Sequence, residues 1–156
     1  MLKRLAYIIA LLTACSMCFI ATTVLASNGL KINAGGWFYN NDDPASEIVS
    51  FGLNAQQIGD TGNEAKGKFQ MIVRNASGEL TRVHGTITEK SSTGFYQFEG
   101  TCSENGEGEW DLYISIVDHG EPGVSSGDEI WIMYWSGGGI QEYSGSLQGG
   151  NSQYKP

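Results

Sequence analysis

No stretch of ten residues after Ser27 has the periodicity of an amphipathic helix, and short alternating runs separated by glycine and asparagine take its place. Residues that alternate between apolar and polar put their side chains on opposite faces of a strand. Asn105-Gly106 joins two such runs and is typical of a tight hairpin, because a type I′ turn needs positive φ at both central residues. These patterns predict an all-β domain.

Seven runs are predicted as strands on this basis: residues 47–54, 66–75, 80–89, 94–102, 107–118, 128–135 and 140–147. The links between them are short, which favours antiparallel neighbours that follow the order of the sequence. We therefore expect an antiparallel β-sandwich or partly open barrel, a meander of about seven to nine short strands. The run at 128–135 is apolar on both faces, which predicts a strand that is central in the sheet or covered on both sides.

The N-terminus has the pattern of a secretory signal. Lys3 and Arg4 precede an uncharged, largely apolar stretch that ends in the small residue Ala26, so residues 1–26 are predicted as a signal peptide. A retained membrane helix is one alternative, and lipidation at Cys15 is another, because residues 12–15 resemble a bacterial lipobox. We expect a secreted or cell-surface protein with no membrane span after cleavage, or a lipoprotein anchored through Cys15.

The rest of the chain is predicted as one unit, with a lead-in segment at 27–46, a single β domain at 47–151 and a tail at 152–156. Removing Lys3 and Arg4 lowers the count of Lys and Arg from 9 to 7 against 17 Asp and Glu, which changes the net charge from −8 to −10. A nucleic-acid partner is therefore not expected, since phosphate neutralisation needs a basic face. Cys102 would be the one remaining cysteine, either buried or paired between chains.

Several segments resemble the post-COAP domain, a small module that lies after choice-of-anchor domains in exported bacterial proteins. The likeness is sharpest at residues 117–123 (VDHGEPG), and it continues through 127–135 and 144–151. Earlier matching segments lie at 35–37, 50–54, 83–88, 94–101 and 105–108, so the resemblance covers roughly 35–151. It implies an exported bacterial β domain without an assigned activity or catalytic residues.

Four carboxylates in one loop form a candidate metal site: Asp118, Glu121, Asp128 and Glu129. Calcium is the metal predicted, because it takes carboxylate and carbonyl oxygens. The spacing matches no EF-hand loop, however, and Glu-Pro-Gly is equally typical of a rigid turn.

Five aromatic residues form a candidate ligand platform: Trp37, Tyr113, Trp131, Trp135 and Tyr143. Sugar rings pack on such surfaces, whereas the alternative is that these rings fill the core of a small β domain.

These residues favour a non-catalytic binding module for polysaccharide or protein of the cell envelope or matrix. One alternative is a structural subunit that associates edge-to-edge or through Cys102. Another is a glycan-cleaving enzyme that uses Glu107, Glu109 and Asp111, but their predicted strand face lacks the apolar surroundings that keep a general acid protonated. No Ser or Cys is paired with either histidine in a pattern typical of a hydrolase, so no enzymatic activity is expected.

Overall fold

The computed structural model describes residues 29–59, 62–91, 96–120 and 123–155. The predictions of a signal peptide, a membrane helix and lipidation at Cys15 lie outside these residues. Within the described ranges, no helix has the length and apolar character needed to cross a membrane.

The described chain forms nine strands: Lys31–Tyr39 (β1), Ile48–Gln57 (β2), Glu64–Arg74 (β3), Leu80–Lys90 (β4), Gln97–Glu104 (β5), Glu107–Val117 (β6), Glu129–Ser136 (β7), Gly139–Ser146 (β8) and Gly149–Lys155 (β9). A 3₁₀ turn at Asn40–Asp42 follows β1, and a short helix at Gly123–Ser126 (α1) precedes β7. All neighbours are antiparallel in one sheet of order β8-β7-β6-β5-β4-β3-β2-β1-β9, which curls into a half-barrel. The predicted all-β meander is confirmed.

Two of these strands, β1 and β9, fall outside the seven predicted runs. β1 lies in the segment predicted as a lead-in, and β9 includes most of the predicted tail; the two strands pair from Lys31 to Trp37. Glycines interrupt the alternation that would have identified them. A Cβ atom on Gly36 would lie 2.1 Å from the carbonyl oxygen of Gly149, so the close approach of the two backbones requires glycine there.

The core lies on the inner face of the curled sheet, where alternate residues of each strand are buried. Its fully buried members include Ile32, Phe38, Val49, Val83, Phe98, Ile114, Ile132 and Tyr134. Burying one such side chain stabilises the fold by about 1.5–3 kcal/mol. The residues between them point outward, and this outer face carries the polar and exposed aromatic side chains discussed below.

Side chains from elsewhere in the chain cap both edges of the sheet. At the β8 edge, the amide of Ser144 donates to Asn40 Oδ1 (3.2 Å) and that of Ser146 donates to Asp42 Oδ1 (2.7 Å). At the β9 edge, the amide of Ser152 donates to Asp128 Oδ2 (3.1 Å). Capped amides are not free to pair with another strand, so edge-to-edge association is not favoured at these positions.

Candidate functional site

Strand β7 carries large apolar side chains on both of its faces. Ile130, Ile132 and Tyr134 are buried on the inner face, whereas Trp131 and Met133 on the outer face are half-buried and Trp135 is 41% exposed. β7 is an interior strand of the sheet, paired with β6 and β8, which agrees with one of the two alternatives predicted for this run. The other alternative, cover on both sides, is wrong, because the outer face of β7 carries no second layer in the described part of the chain. Contiguous exposed apolar residues on a protein surface can mark a binding site.

Trp131 is held in a defined orientation by its neighbours. Its ring packs edge-to-face on Tyr113 of β6, with centroids 5.4 Å apart, and its Nε1 donates to Glu142 Oε1 of β8 (2.8 Å). Burial, together with the negative charge of Glu99, raises the pKa of Tyr113, so its hydroxyl remains protonated at neutral pH. The indole therefore offers a pre-oriented surface that loses little conformational freedom on binding.

A cleft of about 280 Å³ lies beside Trp131, and we call it the Trp131 cleft. Besides the indole, oxygen-bearing side chains from the Asn40–Asp42 turn, β6, β7 and β8 line it: Asp42, Ser115, Glu129, Ser144 and Ser146. Glu129 also lies 3.7 Å from His119 Nε2. The cleft thus combines an apolar ring with hydroxyl and carboxylate groups, the composition of a site for a small polar ligand.

The structure separates the five residues predicted as an aromatic platform. Tyr113 and Trp131 form the pair described above, and Trp135 lies farther along the same face of β7, opposite the exposed Ile140. Tyr143 does not belong to this surface, because it is 7% exposed and stacks on Tyr134 with ring centroids 6.4 Å apart. Trp37 lies on β1 in a separate pair with Tyr39.

Asp128 is a buried structural residue that joins three segments. Its Oδ1 accepts hydrogen bonds from the His119 amide (2.9 Å) and the Ser126 hydroxyl (3.3 Å). Its Oδ2 accepts from both the amide and the hydroxyl of Ser152 in β9. Burial alone would raise the pKa of Asp128, but these hydrogen bonds outweigh it, so the pKa is lowered.

The two other predicted metal ligands that the structure describes, Asp118 and Glu129, do not form a cation site with Asp128. Asp118 accepts a hydrogen bond from the Gly120 amide (2.8 Å) within its own turn, and Glu129 is exposed. Glu121 lies outside the described residues. Among those that are described, no three His, Cys, Asp or Glu side chains are placed to hold one cation. Calcium binding stays a prediction.

The carboxylates predicted for glycan cleavage lie on the outer face of β6, where Glu107, Glu109 and Asp111 are all exposed. Glu104, at the end of β5, instead accepts a hydrogen bond from the hydroxyl of buried Tyr134 (2.8 Å). Burial and this bond raise the pKa of Tyr134. Nothing in this geometry tests the catalytic alternative.

Cys102 is buried with 4% exposure, as its alternation in β5 predicts. Burial, with smaller effects of Glu104 and Asp111, raises the pKa of its thiol from 9.0 to about 11. We expect this thiol to react with a disulfide reagent at pH 8 at least about 100-fold more slowly in the folded protein than in guanidinium chloride. A Cys102→Ser variant corrects for the other cysteines of the chain. A fast native reaction, or a dimer that reductant dissociates, would contradict the buried position.

One residue of the Trp131 cleft, Asp42, has no signal in the sequence. Asp42 and Ser146 are 104 positions apart, and hydrogen bonds across the β8 edge bring them together. Met133 and Ile140, by contrast, lie on the same outer face of the sheet as Trp131 and Trp135. The alternation of inward and outward residues along each strand could have identified them as outward residues.

Comparisons of this chain with protein-family models, with curated proteins and with solved structures find no match.

Proposed function

We propose that this protein is an exported bacterial β domain that acts as a non-catalytic binding module at the cell surface or in the extracellular matrix, with polysaccharide as its ligand. The Trp131 cleft carries the proposal, because an indole ring there adjoins hydroxyl and carboxylate oxygens in one cavity. The apolar face of a sugar ring can pack on the indole while its hydroxyls hydrogen-bond to the surrounding oxygens.

Four further observations support this function. The pattern of residues 1–26 supports export, and the resemblance to post-COAP domains supports an extracytoplasmic bacterial location. The contacts of Trp131 with Tyr113 and Glu142 orient the ring before any ligand arrives. Neither predicted route to self-association is favoured, since the sheet edges are capped at several amides and Cys102 is buried.

Replacing Trp131 should weaken polysaccharide binding without unfolding the protein. We expect the purified protein to be retarded in native gels that contain a neutral β-glucan or a neutral galactomannan. Trp131→Ala should weaken that retardation about tenfold, because it removes the ring on which the sugar packs. Trp37→Ala is the matched control, since it removes an indole from the outer face of β1 in a separate aromatic pair. Failure of both polysaccharides to retard the wild type, or equal losses in the two variants, would contradict the proposal.

A further inference from the structure

Two adjoining hollows lie on the outer face of β2, β3 and β4, and neither shares a lining residue with the Trp131 cleft. The larger has a volume of about 540 Å³ and the smaller about 340 Å³, and both are lined by Gln70 and His84. No side chain projects from the sheet where Gly35 and Gly52 pair on this face, which leaves room for the hollows. The side chain of Gln70 lies over Gly52, since a Cβ atom on Gly52 would be 3.3 Å from Gln70 Nε2.

The strand register arranges the outward side chains of these hollows in three rows. Running from β2 to β4, the rows are Asn54–Lys68–Thr86, Gly52–Gln70–His84 and Ser50–Ile72–Arg82. Partners within a row are about 5 Å apart and successive rows about 7 Å apart. Lys68 Nζ donates to Thr86 Oγ1 (3.0 Å). The result is an open strip of amide, hydroxyl and cationic groups, long enough for a chain-like ligand.

This strip is cationic in a protein whose net charge is −8. The outer face of β3 and β4 carries Lys66, Lys68, Arg74 and Arg82, with His84 beside Arg82 and with the paired Glu64 and Glu89 at one end. In the described part of the chain, none of the four Lys and Arg residues forms an ion pair with a carboxylate. Residues 91–154, which include all of β5 to β8, contain no Lys or Arg. The two halves of the sheet therefore differ in charge, and the cations of one half are available to an anion.

We infer that the outer face of β2–β4 binds an acidic polysaccharide, one whose sugars carry carboxylates, at a site separate from the Trp131 cleft. Lys68 and Arg82 bind carboxylates, and Asn54, Gln70 and Thr86 hydrogen-bond to sugar hydroxyls. The cations are interspersed with neutral groups along the strip, which matches a chain with spaced charges. A dense polyphosphate would meet stronger repulsion from the acidic remainder of the molecule.

The test measures the affinity of the purified protein for polygalacturonate, with polyglutamate as an equally charged chain without sugars. We expect polygalacturonate to bind more tightly and its affinity to fall as salt is added. Lys68→Gln/Arg82→Gln should weaken it at least about tenfold. Lys31→Gln/Lys155→Gln is the matched control, because it makes the same change in net charge at residues that line neither hollow. This control should retain most of the affinity.

Four results would overturn the inference, and this experiment gives three of them: no binding of polygalacturonate, equal losses in the two double variants, or binding of polyglutamate as tight as that of the polyuronate. The inference and the proposed function fail separately. Trp131→Ala should reduce retardation by neutral polysaccharide and leave polygalacturonate bound, while Lys68→Gln/Arg82→Gln should do the opposite. Loss of polygalacturonate binding in Trp131→Ala alone would assign the acidic ligand to the Trp131 cleft and overturn the separate site.

Discussion

Asp128→Asn should lower the melting temperature of this protein by roughly 10 °C at pH 7, which corresponds to about 3 kcal/mol of unfolding free energy. The wild-type carboxylate accepts four hydrogen bonds in a fully buried position, two from Ser152 and one each from His119 and Ser126. An amide of the same shape turns one of its two acceptor atoms into a donor. That donor faces other donors, and buried groups that lose a partner are costly.

The loss should also depend on pH. The pKa of Asp128 is lower in the folded protein than its ordinary value of 3.8, because the hydrogen bonds outweigh the effect of burial. A depressed pKa contributes stability that is complete above this ordinary pKa, which is that of the unfolded chain, and is lost as the pH falls through the folded pKa. The melting temperatures of wild type and Asp128→Asn should therefore converge as the pH is lowered from about 5 to below 3.

Asp111→Asn is the control for this variant, since it removes the same charge from an exposed position on β6. Thermal unfolding followed by circular dichroism across that pH range measures both variants. Equal melting temperatures for the two at pH 7 would show that the Asp128 hydrogen bonds do not hold β9 to the segment before β7. If the difference in melting temperature between Asp128→Asn and wild type widened on acidification, the predicted direction of the pH dependence would be wrong.

The alternation of the central strands made most of the fold predictable. In β6 every second side chain from Trp110 to Ile116 is apolar, and in β4 Val83 and Ile87 lie on one face with Gly85 between them. Val83, Ile87, Leu112 and Ile114 could therefore be assigned to the core before any strand partner was known. The Asn105-Gly106 turn has positive φ at both residues, 52° and 84°, as its hairpin requires. Local chemistry is sufficient in these places because each strand's neighbour is also its neighbour in sequence.

The last strand, β9, was not predictable in the same way. β9 reads GGNSQYK and has no alternating apolar residues, because one of its edges rests on the glycines of β1 and the other on Asp128. These partners lie more than 100 and more than 20 positions away in the chain. Contacts of that kind depend on the curl of the whole sheet, which no local pattern encodes.

The candidate site is likewise predictable from the sequence only in part. Trp131 and Tyr113 were identifiable as outward aromatic residues, because inward and outward residues alternate along their strands. The parity of β8 could also have excluded Tyr143, because it shares a face with Leu147, which is buried. Asp42 could not have been foreseen, since it reaches the Trp131 cleft through the turn after β1 and a hydrogen bond with Ser146, 104 positions away in the chain. Ser144 was identifiable, because it faces Trp131 across the hairpin of β7 and β8.

Of the substitutions that add one methyl group where β1 pairs with β9, Gly150→Ala should be the most destabilising. We expect it to lower the free energy of unfolding by more than about 3 kcal/mol. Gly150 has a φ of 105°, a conformation that residues with a Cβ atom rarely adopt. A Cβ atom there would lie 2.1 Å from the carbonyl oxygen of Gly35, which belongs to the backbone and cannot rotate away. We expect β9 to separate from β1 and to release Ser152 from Asp128.

Alanine variants at two other glycines measure the two causes of this effect separately. Gly139→Ala places a methyl group at a similar φ of 113° with nothing within 4 Å, so it measures backbone strain alone. Gly36→Ala introduces a contact of 2.1 Å with the Gly149 carbonyl at a position outside the left-handed region, so it measures the close approach alone. Chemical denaturation should rank Gly150→Ala as the least stable and Gly139→Ala as the closest to wild type. If Gly150→Ala were as stable as Gly139→Ala, the two backbones would not be in contact, and β9 could not carry the hydrogen bonds that fix Asp128.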